Sequence, residues 1–212
     1  LRIAYSNRTV RGDSMAAPLA GIKILDLSRV LSGPYATMTL ADMGADVVKV
    51  ERPGSGDDTR AFGPPFVDGV STYFMSVNRG KRSICLDLKK PRDKEILIRL
   101  AEKADCLVEN FRPGVMDRLG LGKEDMQAIN PRLIYCSIAG FGSENDGPGY
   151  DVMIQGLSGI PSITGDGTQP LKCGASIADL VSGMNAVQGI LAALYRRERE
   201  GSGGFVDISM LD

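Results

Sequence analysis

The chain has 212 residues, of which 43% are hydrophobic and 24% are charged, values that are ordinary for a globular protein with one substantial core. Its formal net charge of −1 provides no general attraction for nucleic acid or an anionic membrane, and no apolar run reaches the ~18 residues of a membrane span. The sequence contains no histidine, which excludes Ser-His-Asp and Cys-His catalysis and histidine-containing metal sites within it. We therefore expect no nucleic-acid partner, no membrane partner and no metal.

The first 17 residues differ in composition from the rest of the chain. They contain several arginines and no acidic residue before Asp13, a pattern that suits the end of a mitochondrial presequence, although a tag or an upstream exon has a similar composition. We predict a leader over residues 1–17, an α/β domain over residues 18–212, and a mitochondrial matrix or cytoplasmic location. The chain stops where a strand enters a helix, so we expect that a second, smaller domain is missing.

After this leader, short apolar runs alternate with helical patterns, and a turn-rich segment over Pro53–Gly69 is predicted to be a loop. A further helix is expected to begin near Ser71. Strands are predicted over 21–28, 46–51, 83–88, 105–110, 132–142 and 203–211, and helices over 33–44, 91–104, 123–131, 150–160 and 180–200. This alternation predicts an α/β fold with a Rossmann-like parallel sheet and helices on both faces.

Polar segments follow three of the predicted strands, at Ser28–Ser32, Arg52–Gly56 and Asn110–Arg118. Ligands of parallel α/β sheets bind at the carboxyl ends of strands, so these segments are candidates for a binding site. No GxGxxG follows a strand and no P-loop is present, which argues against a dinucleotide dehydrogenase. Seven basic residues lie at predicted loop positions: Arg52, Arg60, Arg79, Lys81, Arg82, Arg112 and Arg118. Each one taken singly fits a solvated surface residue, but several of them together could bind a polyanion.

Asp179 lies directly before the apolar helical run that begins at Leu180. An aspartate in this position is a good helix N-cap, because its carboxylate accepts hydrogen bonds from the unpaired N–H groups of the first turn. It is also ionised at neutral pH without help from a histidine, so it can act as a nucleophile. The two interpretations are compatible, since a helix N-terminus favours an ionised carboxylate.

Four segments carry a resemblance to a known family. They are "PLAGIKILDLSRVLSGPYATMTLADMGADVVKVERPGSGDDTR", "VNRGKRSICLDL", "LVENFRPGVMDRLGLG" and "GASIADLVSGMNAVQGILAAL". In their order and spacing they resemble the family III CoA-transferases, from about Pro18 to the last residue. The resemblance implies the N-terminal part of that fold, coenzyme A as a substrate, and an interlocked homodimer.

The resemblance also implies roles for single residues. Asp179 matches the family's catalytic aspartate, which attacks an acyl-CoA thioester and carries CoA to a carboxylic acid through covalent aspartyl intermediates. The implied CoA contacts are Leu31, Ser32, Arg52, Val77, Asn78, Arg79, Gly80, Asn110, Phe111, Arg112 and Arg118. The segments "ERPGSGDDTRAFGPPF" and "STYFMSVNR" are most similar to the succinate–hydroxymethylglutarate branch, which implies a succinyl-CoA-type donor and a dicarboxylic acceptor.

Other functions stay open at this point. The racemase branch pairs the aspartate with a histidine in a "GHD" motif, which reads "GYD" over 149–151 here, and a tyrosine is a poor base at neutral pH. A lysine that contacts CoA in formyl-CoA transferase is replaced by Pro148. The family's glycine-rich loop lies in a C-terminal half that this chain lacks. A non-catalytic CoA-binding or assembly module is therefore an alternative, as is a site for another phosphate ligand.

Overall fold

The computed structural model describes residues 16–212, so the predicted leader over residues 1–17 lies almost entirely outside the described residues. In the described part of the chain, six parallel strands form one sheet: β1 (Lys23–Asp26), β2 (Asp46–Glu51), β5 (Lys81–Cys85), β6 (Cys106–Glu109), β7 (Ile134–Ala139) and β8 (Gly204–Ser209). Their order in the sheet is β5-β2-β1-β6-β7-β8. Numbered along this sheet alone, the order is 3-2-1-4-5-6, which is that of doubly wound dinucleotide folds.

Within residues 16–212, eight helices connect or cover the strands. They are α1 (Ser32–Asp42), α2 (Thr72–Asn78), α3 (Pro91–Ala101), α4 (Val115–Arg118), α5 (Lys123–Ile129), α6 (Asp151–Leu157), α7 (Ile160–Ile163) and α8 (Ile177–Glu200). Local sequence explains several boundaries. Pro91 begins α3, at a position where a backbone N–H would have no intrahelical acceptor, so the proline costs no hydrogen bond. Gly201 ends α8 in a left-handed conformation with a φ of 79°.

Both faces of the sheet are covered by helices, as predicted. On one face, Leu40 of α1 and Ile190 of α8 pack against strand residues such as Val108. On the other face, Leu97 of α3 and Met126 of α5 pack against strand residues from the same sheet. The predicted α/β fold with a parallel sheet and helices on both faces is therefore confirmed.

Some element boundaries were predicted wrongly. The predicted loop over Pro53–Gly69 contains a short 3₁₀ turn over Asp58–Ala61 and the strand β3 (Phe66–Val67), which pairs with β4 (Val70–Ser71) in a two-stranded antiparallel sheet. The strand predicted over 83–88 begins at Lys81 and ends at Cys85. Buried strands are recognised by their apolar runs, and a short hairpin has no such run. The β3–β4 hairpin was therefore not predicted within this turn-rich segment.

Helix α8 is long enough and apolar enough, by length and composition, to cross a membrane, and no other helix in residues 16–212 meets that test. Ala186, Val187, Ile190 and Leu194 of this helix are buried against the sheet. A core helix meets the same test, and this packing assigns α8 to the core.

Candidate functional site

The loop Ser28–Ser32 crosses the point at which the strand order reverses, between β1 and β6. Asn110, which follows β6, holds this loop through its amide: Oδ1 accepts from the Arg29 N–H at 2.8 Å and Nδ2 donates to the Arg29 carbonyl at 2.7 Å. Val30 has a φ of 67°, a left-handed conformation that a β-branched residue rarely adopts. Asp57 Oδ1 accepts from the Val30 N–H at 3.3 Å, so two side chains support this strained turn.

A buried network of opposite charges lies beneath the same loop. Lys49 is almost fully buried, and its Nζ donates to the Ser28 carbonyl at 2.8 Å and lies 2.9 Å from Asp57 Oδ2. Lys81 Nζ lies 2.8 Å from Asp26 Oδ2. Burial alone would raise the pKa of Asp26, but Lys49 and Lys81 hold it well below its ordinary value. Asp26 therefore stays ionised, and the network holds the loop in place through the Lys49 bond to the Ser28 carbonyl.

Asp179 lies beside this loop, in the first turn of α8. The hydroxyl and N–H of Ser32 lie close enough to its carboxylate to favour the ionised form. Gly183, one turn further along α8, makes this approach possible, because a β-carbon there would lie only 2.6 Å from the Ser32 carbonyl oxygen. Leu180 packs against the small apolar cluster that contains Leu31 and Val77. The start of α8 is thus pressed against the loop at the reversal point.

The prediction that Asp179 is the N-cap of its helix is wrong. Helix α8 begins at Ile177, three residues earlier than a cap at Asp179 would require, and its N-cap residue Ser176 makes no side-chain capping bond. Asp151 of α6 takes that role, because its Oδ1 accepts from the N–H groups of Ala178 at 2.9 Å and Asp179 at 3.3 Å. The carboxylate of Asp179 is therefore free of the capping function.

The surroundings of Asp179 make it more basic than an ordinary aspartate. Burial and the nearby charge of Asp151 raise its pKa to about 6, and hydrogen bonding from Ser32 offsets part of this rise. Burial likewise raises the pKa of Tyr73, the neighbouring side chain on α2, to about 12, with further contributions from Asp179 and other carboxylates. At neutral pH the site holds an ionised Asp179 beside a neutral phenol.

A cavity of about 760 Å³ opens on the other side of the Ser28–Ser32 loop, at the carboxyl ends of β1, β2 and β5. Its lining includes the cationic side chains Arg29, Arg52, Lys89, Lys90 and Arg118 and the ring of Phe111. Arg29 pairs with Asp58 at 3.1 Å, and Lys90 lies 3.9 Å from Asp87. Within the described part of the chain, Arg52, Lys89 and Arg118 form no ion pair, so their charges are available to an anionic ligand.

The seven basic residues proposed as a polyanion site do not form one cluster. Arg60 binds the Glu51 carboxylate through two hydrogen bonds of 2.7 Å and stacks on Phe74. Four of the seven pair with carboxylates: Arg60 with Glu51, Arg79 with Asp42, Lys81 with Asp26, and Arg82 with Asp46. Arg112 is exposed and does not line the cavity. Only Arg52 and Arg118 of this set face the cavity.

The predicted CoA contacts separate into groups. Arg52, Phe111 and Arg118 line the cavity, while Leu31, Ser32 and Val77 lie near the start of α8. The side chains of two residues are engaged elsewhere: Asn110 binds the Arg29 backbone, and Asn78 binds Lys81 and the Phe74 carbonyl. Arg79, Gly80 and Arg112 do not line the cavity.

Two parts of the site were not predicted from the sequence. Lys49, Asp26 and Asp57 lie in or after strands, where a charge network could be inferred only from their burial. Lys89 and Lys90 follow β5 and line the cavity. The "LKKP" sequence at the carboxyl end of a predicted strand was the available signal for this pair.

Comparison with known proteins identifies relatives that share both sequence and fold. A family model described as CoA-transferase family III matches residues 19–212. The succinyl-CoA:glutarate CoA-transferase of Mus musculus is 50% identical over 206 residues, covering 94% of this chain and 46% of that protein. The formyl-CoA:oxalate CoA-transferase of Streptomyces avermitilis is 48% identical over 203 residues, covering 92% of this chain and 48% of that protein.

A solved structure agrees with these sequence matches. The crystal structure of a CAIB/BAIF family protein from Brucella suis superposes with a TM-score of 0.90 at 46% identity, covering 93% of this chain and 54% of that one. The chain spans about half the length of the relatives it matches. Because the family model matches residues 19–212 and the fold agrees with that of a close structural relative, the chain belongs to CoA-transferase family III.

Proposed function

We propose that the protein is a CoA-transferase that moves CoA between an acyl-CoA and a carboxylic acid, with Asp179 as the covalent nucleophile. The observation that carries this proposal is the position of Asp179. Its carboxylate is partly buried beside the loop at the reversal point, does not cap its helix, and has a pKa raised to about 6. At pH 7 a carboxyl with this pKa is about nine-tenths ionised, so it is both available and unusually basic.

The cavity suits the anionic end of CoA. Arg52, Lys89 and Arg118 supply positive charge for phosphate groups, and the apolar lining together with Phe111 suits a heterocyclic ring. Each charge-assisted hydrogen bond contributes about 1.5–3 kcal/mol, so three such contacts suffice for useful affinity. The cavity and Asp179 lie on opposite sides of the Ser28–Ser32 loop, so the pantetheine arm is expected to cross this loop.

The chemistry follows the family mechanism. An Asp179 oxygen forms a bond to the thioester carbonyl carbon, the carbon–sulfur bond breaks, and CoA leaves as a thiolate with the electron pair. The thiolate then attacks the aspartyl carbonyl of the resulting anhydride, and the donor acid leaves as a carboxylate. An acceptor carboxylate reverses these two steps and leaves as the new acyl-CoA, which regenerates Asp179.

The raised pKa of Asp179 favours the first step. For a thiol with pKa near 8.5 and a carboxyl near 3.9, the difference in leaving-group stability disfavours anhydride formation by about 6 kcal/mol. With the pKa of Asp179 raised to about 6, the same comparison gives about 3 kcal/mol. The remainder must come from holding the thiolate close and from hydrogen-bond donors to the oxyanion.

The proposed substrates are a succinyl-CoA-type donor and a dicarboxylic acceptor. Support comes from relatives named for succinyl-CoA with glutarate and with mesaconate, at 50% and 48% identity. Racemisation is not favoured, because the exposed Tyr150 stands where that branch has a histidine. The interlocked homodimer and the mitochondrial matrix or cytoplasmic location remain predictions.

The test uses the full-length protein with labelled succinyl-CoA and a panel of acids that includes glutarate, mesaconate and oxalate. We expect Asp179→Asn to lose at least about a thousandfold in kcat, because an amide cannot form the anhydride. Asp46→Asn is the matched control, since Asp46 lies at the amino end of β2 and pairs with Arg82. Full transfer by Asp179→Asn would refute the nucleophile, and tight CoA binding without transfer by the unaltered protein would support the binding-module alternative.

A further inference from the structure

Two side chains of α6 bind the backbone that leads to Asp179. Asp151 Oδ1 accepts from the N–H groups of Ala178 and Asp179. Four residues further along, Gln155 Oε1 accepts from the Cys173 N–H at 2.8 Å, and its Nε2 donates to the Ala175 carbonyl at 3.3 Å. The same two side chains bind each other, because Gln155 Nε2 donates to Asp151 Oδ2 at 2.7 Å. The Cys173–Asp179 segment is therefore hydrogen-bonded to α6 at both of its ends and at Ala175.

The burial of Gln155 indicates that this arrangement is built into the fold. Gln155 is fully buried, and a buried amide is costly unless all of its polar atoms find partners. Its amide makes hydrogen bonds to Asp151 and to both backbone groups of the segment, which satisfies that requirement. The segment itself has no regular secondary structure before Ile177, so these bonds determine where it runs.

We propose that Asp151 and Gln155 are positioning residues for Asp179: they clamp the Cys173–Asp179 backbone against α6, and Asp151 places a second negative charge beside the Asp179 carboxylate. This inference rests on the proposed role of Asp179 as nucleophile. The two effects act together. The clamp fixes the direction of the Asp179 carboxylate, and the charge of Asp151 makes that carboxylate a stronger base and a poorer leaving group.

Among residues 16–212, few charged or titratable groups influence Asp179. Asp151 faces it from α6, Tyr73 faces it from α2 and stays neutral at physiological pH, and α1 contributes the polar Ser32. After burial, Asp151 is the largest cause of the raised pKa of Asp179. Removing the charge of Asp151 is therefore expected to lower the pKa of Asp179, and also that of Tyr73, which Asp151 raises as its last-ranked cause and which stays neutral either way.

The first experiment compares Asp151→Asn with the unaltered full-length protein. Asparagine keeps an oxygen that can accept from the two N–H groups, but it removes the charge and the second oxygen that accepts from Gln155 Nε2. We expect the pKa of Asp179, measured by NMR of ¹³Cγ-labelled aspartate and assigned with Asp179→Asn, to fall by about one unit. The acidic limb of the pH profile of kcat is expected to move down by the same amount, and kcat at pH 7.5 to fall about tenfold, with the KM for acyl-CoA unchanged.

The second experiment tests the clamp without changing any charge. Gln155→Met fills the same space but loses the three hydrogen bonds of the side-chain amide. We expect faster amide hydrogen exchange at Cys173, Ala178 and Asp179 and a fall in kcat of at least about tenfold, with the pKa of Asp179 within about half a unit of its starting value.

The outcomes separate this inference from the proposed function. If Asp151→Asn leaves the titration of Asp179 unchanged, or if both variants lose activity only in proportion to lost folded protein, the clamp is refuted. If Asp179→Asn retains transfer while Asp151→Asn shifts the Asp179 titration as expected, the nucleophile assignment fails and the clamp stands. Asp46→Asn serves again as the charge-removal control and should leave the Asp179 titration in place.

Discussion

The carboxyl of Asp179 combines two properties that oppose each other in the folded protein. Burial and the neighbouring Asp151 disfavour its charge, yet the proposed reaction needs that charge at neutral pH. The proton affinity of this carboxyl is therefore higher in the folded state than in the unfolded state. Between pH values near 3.8 and near 6, the folded protein keeps a proton on Asp179 that the unfolded protein has lost. Reactivity at this residue is obtained at the expense of stability.

This conflict predicts a pH-dependent gain in stability for Asp179→Asn. As pH rises from about 4 to about 6, the unfolded state releases the Asp179 proton first, so the unaltered protein loses stability over that window and the variant does not. We expect the variant to be more stable by about 1–2 kcal/mol at pH 7.5, after allowing for partial solvent screening, with the difference vanishing near pH 4. Thermal melts of the full-length protein at several pH values measure it. A gain that is the same at every pH would contradict this account.

At the scale of elements, the approach of α8 to α1 depends on a single missing side chain. A β-carbon at Gly183 would lie 2.6 Å from the Ser32 carbonyl oxygen and 3.0 Å from the Tyr35 ring. Backbone atoms cannot yield as a flexible side chain can, so any larger residue must push the two helices apart. Asp179 lies one turn before Gly183, so the same displacement moves the carboxylate away from the loop.

We therefore predict that Gly183→Ala lowers both stability, by about 1–3 kcal/mol, and kcat, by more than the lost folded fraction explains. Gly156 of α6 is the matched control, because a β-carbon there meets no atom within 4 Å and alanine favours a helix. Gly156→Ala should leave kcat unchanged and raise stability by up to about 1 kcal/mol. Chemical denaturation and steady-state kinetics of both variants check this, and an unaffected Gly183→Ala would show that the close approach has no functional role.

Periodicity was sufficient to predict the elements of the large sheet and its two helical layers. The α/β alternation of the apolar runs carries that information locally, and Asp179 could be placed near the start of α8 for the same reason. The cap of α8 could not be predicted, because Asp151 lies 28 residues before Asp179 and reaches it only through the packing of α6. Likewise, the ion pairs of Arg79 and Arg82 could not be predicted, since their carboxylate partners come from distant parts of the chain.

On the scale of the whole molecule, an almost neutral chain concentrates positive charge at one cavity. The net charge is −1, while the cavity at the carboxyl ends of β1, β2 and β5 holds three cations without a carboxylate partner in residues 16–212: Arg52, Lys89 and Arg118. Four of the five remaining basic residues proposed as a polyanion site pair with carboxylates. Affinity for a polyanionic ligand should therefore depend on which cation is removed, and the overall charge should matter little.

We predict that Lys89→Ala and Arg118→Ala each weaken CoA binding by about tenfold or more in the full-length protein, because each removes a charge-assisted contact with a phosphate. The losses should shrink as salt is raised, since the side chains are exposed and salt screens them.

Arg82→Ala is the matched control: its guanidinium pairs with Asp46 at the amino end of the strands, far from the cavity mouth, so CoA affinity should not change. Calorimetric titration with CoA, and in parallel with dephospho-CoA, assigns the cation that faces the 3′-phosphate, because that variant alone should bind both ligands equally. If Arg82→Ala weakened binding as much as Arg118→Ala, the phosphates would lie elsewhere and the cavity would not be the CoA site.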